Sequence, residues 1–179
     1  MPQRSVRPST PVGGPQELLD CSISLTVASR GLGRTDDAGV RLEVYRFFVE
    51  RGRPPVPAEI AHTLGMTQAA VEASLHRLAE GHALVLAPGT PYIWMANPLS
   101  ALPTPFSVEA ADRTWFGNCI WDALGVVAML GGTGTVRTWC PDCQERLAVS
   151  VQANRLLSPE GVVHFAVPAA HWWDDIGFN

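Results

Sequence analysis

The chain has 179 residues, 46% of them hydrophobic and 17% charged, which excludes wholesale disorder and allows one domain or two small ones. No apolar run approaches the roughly 18 residues of a membrane-spanning helix, so we expect no membrane contact. Thirteen basic residues, all arginine, face 17 acidic ones for a net charge of −4, which disfavours nucleic-acid binding. The first ten residues lack the apolar stretch of a secretory signal, and we expect a cytoplasmic protein.

Residues 1–35 differ in composition from the rest of the chain. They are rich in proline, glycine, serine and arginine, and Pro2, Pro8, Pro11 and Pro15 disfavour long regular structure there. We therefore expect a flexible N-terminal arm over this segment.

The segment 36–96 shows three helical patterns followed by a hairpin pattern. Apolar residues recur at helical spacing, Gly65 closes the second predicted helix, and Thr67 and Gly81 bound the third. Two short apolar runs flank a turn at Pro88-Gly89, which predicts a hairpin. The stripes are Val40, Val44, Phe47 and Phe48, then Ile60 and Leu64, then Val71, Leu75 and Leu78, and the strands are 83–86 and 91–95. Three helices and a hairpin predict a winged-helix-like domain.

This predicted domain is a poor candidate for DNA binding. It holds five arginines against seven acidic residues, and its third helix exposes one arginine, Arg77, against one glutamate, Glu72. Protein–DNA affinity depends largely on neutralising phosphates. We therefore expect no DNA partner and a structural or dimerising role, which leaves a homodimer open.

A proline-rich connector, 97–105, leads to a second predicted unit over 106–179. Its pattern predicts a strand at 106–108, a very apolar helix at 113–130 and a hairpin. A strand at 162–167 and a short helix at 169–175 follow. The hairpin strands are 136–139 and 147–151. The sequence therefore predicts an α+β fold with a mainly antiparallel sheet.

The apolar helix predicted at 113–130 places a thiol and a carboxyl together. Trp115, Cys119 and Asp122 fall on one face at helical spacing, among apolar residues. A buried cysteine can be inert packing, and Asp122 can simply bond to local backbone or an arginine. A carboxyl on an apolar face also gains a raised pKa and becomes a usable proton donor. The pair then suits either cysteine nucleophilic catalysis, which normally needs a histidine base, or handling of a soft metal.

A second feature is Cys140-Pro-Asp-Cys143 at the turn of the predicted hairpin. It is similar to half of a zinc ribbon, whose sites need four ligands. Three interpretations remain open. The pair can belong to a metal site completed by Cys21, His164 or His171, it can be a redox thiol pair, or it can be two ordinary cysteines of the turn. Near the end of the chain, His164, Trp172 and Trp173 are candidate pocket residues, with ordinary packing as the alternative.

These features resemble, in chain order, the alkylmercury lyase (organomercurial lyase) family. The resemblance covers 36–179, and its most specific element is the Cys-x-x-Asp-x-Leu pattern. Its other elements are the connector Asn97–Phe106, Trp115-Phe-Gly-Asn-Cys119-Ile-Trp-Asp122, the hairpin cysteine Cys140, Val163-His-Phe-Ala-Val-Pro168 and His171-Trp-Trp-Asp-Asp175. The resemblance implies that Cys119 captures R–Hg⁺, a second thiolate joins it, and Asp122 delivers the proton that cleaves the carbon–mercury bond. It implies no required cofactor, Hg(II) as product ligand, and a small organometallic substrate and cellular thiols as partners.

The chain departs from the family pattern at the second catalytic cysteine. The family has it shortly before the strand matched by Val163-His-Phe, where this chain has 157–162 without a cysteine. Either Cys140 or Cys143 supplies the second sulfur, making Cys119, Cys140 and Cys143 the mercury ligands, or lyase activity is lost. The alternative function is a non-catalytic metal-binding or regulatory winged-helix protein, with zinc or another soft metal at Cys140 and Cys143.

Overall fold

The computed structural model describes residues 35–157 and 161–177, so all of the predicted N-terminal arm except Thr35 lies outside the described residues. The first elements are three helices, each near its predicted position. Gly65 ends the second in the left-handed conformation (φ 65°), and the Thr67 hydroxyl caps the third by accepting from Ala70 N at 3.2 Å. The helices are α1 (Thr35–Arg51), α2 (Pro57–Leu64) and α3 (Gln68–Glu80).

Helices α1 and α3 are joined by a polar cluster at Asp37. Arg77 donates to the Asp37 carboxylate at 2.6 and 3.0 Å, and the Ser74 hydroxyl donates to it at 2.6 Å. The bonds from Arg77 and then from Ser74 hold the pKa of Asp37 below its usual range. The arginine that the sequence leaves exposed on α3 is thus engaged within the fold.

A small antiparallel sheet follows the three helices. Its strands are β1 (Val85–Leu86), β2 (Ile93–Ala96) and β3 (Leu99–Ser100), in that order. The predicted hairpin at 83–86 and 91–95 therefore forms. Strand β3 lies within the segment predicted as a connector, because Leu99 and Ser100 pair with Ala96 and Met95.

The second sheet has five antiparallel strands in the order β5-β4-β6-β7-β8, with one helix packed against β4 and β6. The hairpin predicted at 136–139 and 147–151 forms its centre. The elements are β4 (Ser107–Ala110), β5 (Arg113–Phe116), α4 (Ile120–Met129), β6 (Gly134–Trp139), β7 (Arg146–Gln152) and β8 (Arg155–Leu156). The predicted α+β class with mainly antiparallel sheet is confirmed.

The helix predicted at 113–130 is wrong over its first turns. Residues 113–116 form β5, which pairs residue by residue with β4 across a turn where Ala111 and Asp112 adopt positive φ. Trp115 therefore faces the core by strand alternation, 3% exposed, with Nε1 donating to Ala110 O at 3.1 Å. Cross-strand pairing with β4 outweighs the helical spacing that Trp115 shares with Cys119.

The strand predicted at 162–167 is also wrong. Within the described residues from 161 onward no strand occurs, and Val162 is 94% exposed. The edge of β7 that a further strand could use is already paired with β8, which the sequence analysis did not foresee. The short helix predicted at 169–175 is reduced to a 3₁₀ turn at Ala169–His171.

One hydrophobic cluster joins the helices to both sheets. Val40, Val44 and Ile60 from the first helices are fully buried in the same cluster as Val108, Val126 and Val136 from the second sheet and α4. The winged-helix interpretation and the domain boundaries stay predictions. None of the helices in the described part of the chain has the length and apolarity to cross a membrane.

The first turn of α2 offers a test of local stability. The Glu59 carboxylate accepts from the Arg53 guanidinium at 2.6 and 2.9 Å and from Val56 N at 2.9 Å. These bonds, above all those from Arg53, lower the pKa of Glu59 from 4.5 to about 2. Because the folded pKa is depressed, the stabilisation is present above pH 4.5 and is lost as pH falls toward 2. We expect Glu59→Gln to lower the free energy of unfolding by about 1 kcal/mol at pH 7, and by progressively less in urea melts at lower pH. An undiminished difference at pH 2 would contradict this.

Candidate active site

The N-terminus of α4 is fixed by close packing of the residues before it. Gly117 has no room for a side chain, since a Cβ there would meet Ala123 N and approach Ala123 Cα to 2.7 Å. Gly117 N also donates to Phe106 O at 3.0 Å, and Gly117 O accepts from the Thr104 hydroxyl at 2.5 Å. These contacts hold the chain immediately before Cys119.

Cys119 is the N-cap of α4 rather than a residue within it. Its backbone is extended, and its Sγ accepts from Asp122 N at 3.5 Å. This capping contact joins the thiol to the backbone of Asp122, three residues further on, in the first turn of the helix. Both side chains are partly buried and line the same cavity.

Burial controls the protonation of both groups. Desolvation raises the pKa of the Cys119 thiol, and the Asp122 charge adds to this, against the bonds from the backbone N–H groups of Asp122 and Trp121. Desolvation likewise raises the pKa of Asp122, against the bonds from Asn118. A helix N-terminus favours an anion, but here burial has the larger effect. Burial therefore shifts both groups toward their neutral forms relative to the free side chains.

Asn118, which the sequence analysis missed, orients the Asp122 carboxyl. Its Nδ2 donates to Asp122 Oδ2 at 2.9 Å and to Asn97 Oδ1 at 3.0 Å. Its own Oδ1 is buried and has no hydrogen-bond partner among the described residues. The i, i+4 spacing of Asn118 and Asp122 could have indicated the first bond, whereas the bond to Asn97 depends on the fold.

The cavity measures about 540 Å³ and its walls are largely apolar. They come from the small sheet, the connector, the start of α4 and the C-terminal segment. Besides Asp122, the titratable side chains among its described lining residues are Cys119 and His164. The apolar walls include Trp94, Leu102, Phe106, Ile120, Phe165 and Trp172. A small organic group would therefore find apolar contact beside the thiol.

The predicted pocket residues divide between this cavity and other places. His164 and Trp172 line it, and Trp172 Nε1 donates to Val167 O at 2.9 Å. Trp115 lies in the core instead. Trp173 stacks on His82 with ring centroids 3.9 Å apart and is not among the cavity's lining residues.

Cys140 and Cys143 lie at the turn between β6 and β7, and neither lines the cavity that holds Cys119. Both are free thiols, and bonds from the backbone N–H groups of Cys143 and then Asp142, with a further bond from the Cys143 thiol, lower the pKa of Cys140. Across residues 35–157 and 161–177 no group of three or more His, Cys, Asp or Glu side chains could hold a metal ion. The predicted zinc ligands His164 and His171 thus do not complete a site with this pair, and Cys21 lies outside the described residues.

A thiol and a carboxyl, each with its pKa raised by burial, line one largely apolar cavity and define a class of site. Such a site can bind a soft electrophile through sulfur and deliver a proton to the group attached to it.

Comparisons with known proteins find two similarities. Residues 99–178 match the alkylmercury lyase family model. The fold resembles the crystal structure of the mercury-bound form of MerB2, with a TM-score of 0.58 and 19% sequence identity over 69% of this chain. The match spans 59% of that protein. No curated protein sequence matches significantly. The resemblance to alkylmercury lyases predicted from the sequence is confirmed, with the family match over residues 99–178 and a similar fold over 69% of the chain.

Proposed function

We propose that the protein cleaves carbon–mercury bonds of small organomercurials by protonolysis. The observation that supports this most directly is the shared cavity of Cys119 and Asp122, with Cys119 Sγ 3.5 Å from Asp122 N. Mercury is a soft metal that prefers sulfur ligands, and the fold resembles that of a protein with a mercury-bound form.

In the first step Cys119 captures the substrate. Its sulfur forms a bond to mercury in R–Hg⁺, and the thiol proton leaves to solvent or to a base. The raised pKa of the thiol lowers the fraction of free thiolate. Metal binding nevertheless displaces the proton, because the thiolate is the ligand. The organic group R then lies against the apolar walls.

In the second step Asp122 protonates the carbon. The electron pair of the carbon–mercury bond passes to carbon, which takes the proton from the Asp122 carboxyl and leaves as R–H. Mercury stays on sulfur as Hg(II), and the oxidation states of carbon and mercury do not change. The raised pKa of Asp122 supports the role, since the acid must hold a proton until the carbon accepts it.

A second sulfur is needed to push electron density toward the carbon. Cys119 is the one cysteine among the described cavity-lining residues, so we propose that a cellular thiol enters the cavity and supplies the second thiolate. The proton of this thiol leaves to solvent as its sulfur binds mercury, and after cleavage the Asp122 carboxylate takes up a proton from solvent, which restores the acid. This places the reaction in the cytoplasm, where thiols are kept reduced.

The test is hydrocarbon release from phenylmercury or methylmercury by the full chain, measured by gas chromatography with increasing monothiol. We expect turnover that requires added thiol. Release of one equivalent without added thiol would show that a cysteine of the chain, among Cys21, Cys140 and Cys143, is the second ligand. Stoichiometric binding without any hydrocarbon would instead favour the non-catalytic metal-binding alternative.

Asn118 provides a narrower prediction. Asn118→Leu removes the bond to Asp122 while keeping similar volume, so the carboxyl loses its orientation. We expect hydrocarbon release to slow about 10-fold, an effect typical of orienting partners, with mercurial binding to Cys119 unchanged. In an Asp122→Asn background the same substitution should cost nothing further, because Asn118 acts through Asp122. Additive losses in the double variant would contradict this role.

A further inference from the structure

The turn between β6 and β7 holds two cysteines in a defined loop. Cys140 N donates to Glu145 O and Gln144 N donates to Cys140 O, both at 2.9 Å. Gln144 Nε2 also donates to Pro141 O at 2.9 Å, and Gln144 has a positive φ of 62°. These bonds close the turn on itself, so Cys140 and Cys143 are presented from one tight loop.

The two thiols are accessible from solvent. Cys143 is exposed and Cys140 partly so, and neither is in a disulfide. They lie three residues apart on a turn whose ends are tied by the bonds of Cys140 N to Glu145 O and of Gln144 N to Cys140 O. One ion can therefore meet both thiols without an opening of the sheet.

The surroundings of the pair select the kind of cation. Zinc in structural sites takes four ligands, and the described residues bring no third His, Cys, Asp or Glu into a cluster with the two cysteines. A soft cation that is satisfied by two thiolates, such as Hg(II), needs no further ligand.

We propose that Cys140 and Cys143 form a second mercury site, outside the cavity, that binds inorganic Hg(II) as a two-coordinate bis-thiolate. The identity of the cation rests on the proposed lyase function, whose product is Hg(II). Two Hg–S bonds to monothiols break as two Hg–S bonds to the pair form. Each departing monothiolate takes the proton of the cysteine that replaces it, so charge and oxidation states are unchanged.

One chelating turn has an advantage over two separate thiols. After the first cysteine binds, the second is present at an effective concentration set by the loop, which exceeds that of a dilute competitor. The pair can thus remove Hg(II) from the monothiol complexes that leave the cavity and keep it from rebinding at Cys119.

The experiment uses the full chain with Cys119→Ser, so that the cavity site is absent, and Hg(II) alone as probe. After dialysis against excess glutathione, we expect one Hg(II) retained per chain, with the ultraviolet charge-transfer band of two-coordinate mercury thiolate. Adding Cys140→Ser or Cys143→Ser should weaken retention at least about 10-fold, since each leaves one monothiol in place of a chelate. Both residues lie on an exposed turn, and thermal melts check that each variant folds.

The proposal would be overturned if Cys140→Ser and Cys143→Ser left the retention of Hg(II) unchanged. It would also be overturned if Cys21→Ser abolished retention while Cys140→Ser did not. The readout is independent of hydrocarbon release. A chain that retains Hg(II) at the pair but releases no hydrocarbon would therefore overturn the lyase proposal and leave the second site intact. A chain that releases hydrocarbon but retains no Hg(II) at the pair would overturn the second site and leave the lyase proposal intact.

Discussion

Cys119→Ser should abolish hydrocarbon release and tight binding of organomercurials in the cavity. A hydroxyl is a hard, weakly acidic ligand that does not replace a thiolate on mercury, and loss of a covalent catalytic group costs roughly 10³-fold or more. The measurement is release of benzene from phenylmercury with excess thiol. It is paired with binding of phenylmercury in a background of Cys140→Ser and Cys143→Ser, so that these thiols do not mask the loss of binding at Cys119.

This substitution is well suited to the site because it preserves the fold. Cys119 caps α4 with its Sγ accepting from Asp122 N, and serine is a preferred N-cap residue. The variant should therefore melt at the parent's temperature or above it. A Cys119→Ser protein that melts normally and still turns over at the parent rate would refute the assignment of Cys119 as the mercury ligand.

The three helices were predictable because their apolar residues repeat at helical spacing, and because Gly65, Thr67 and Gly81 mark ends of α2 and α3. Val40, Val44 and Phe48 are buried as the stripe of α1 requires. The region from 113 to 119 was not predictable in the same way. Trp115 and Cys119 share helical spacing, yet pairing of β5 with the preceding strand β4 decides the structure there, across a turn at Ala111 and Asp112 that carries no glycine or proline to indicate it.

The candidate site shows the same division. Cys119 and Asp122 were predicted to share a pocket because of their helical spacing, and both line one cavity even though Cys119 precedes the helix as its N-cap. Asn97 and the cavity walls come from segments far away in the chain. Their positions depend on how the small sheet and the C-terminal segment pack around α4, which local periodicity does not encode.

Asp122→Asn should separate binding from cleavage. The amide cannot supply the proton, so we expect hydrocarbon release to fall by about 10²- to 10⁴-fold, the usual contribution of a general acid. Capture of the organomercurial by Cys119 should persist, giving a protein that holds R–Hg without releasing R–H. Asp112→Asn is the matched control, since Asp112 is exposed at the β4–β5 turn with positive φ, which asparagine tolerates.

The same variant should also change the pH dependence of stability. Burial raises the folded pKa of Asp122 above its ordinary value of 3.8, so the folded protein binds this proton more tightly than the unfolded chain. The free energy of unfolding of the parent therefore falls as pH rises from 3.8 through the folded pKa, and Asp122→Asn lacks this loss. We expect the variant to gain stability relative to the parent between pH 4 and pH 7, measured by urea unfolding of the mercury-free proteins.

A variant that loses cleavage while gaining stability at pH 7 would show that the carboxyl is kept for chemistry at a cost to the fold. A relative loss of stability over that pH range would instead mean that the Asn118 bond stabilises the carboxylate more than burial penalises it, and Asp122 would then be a poor proton donor.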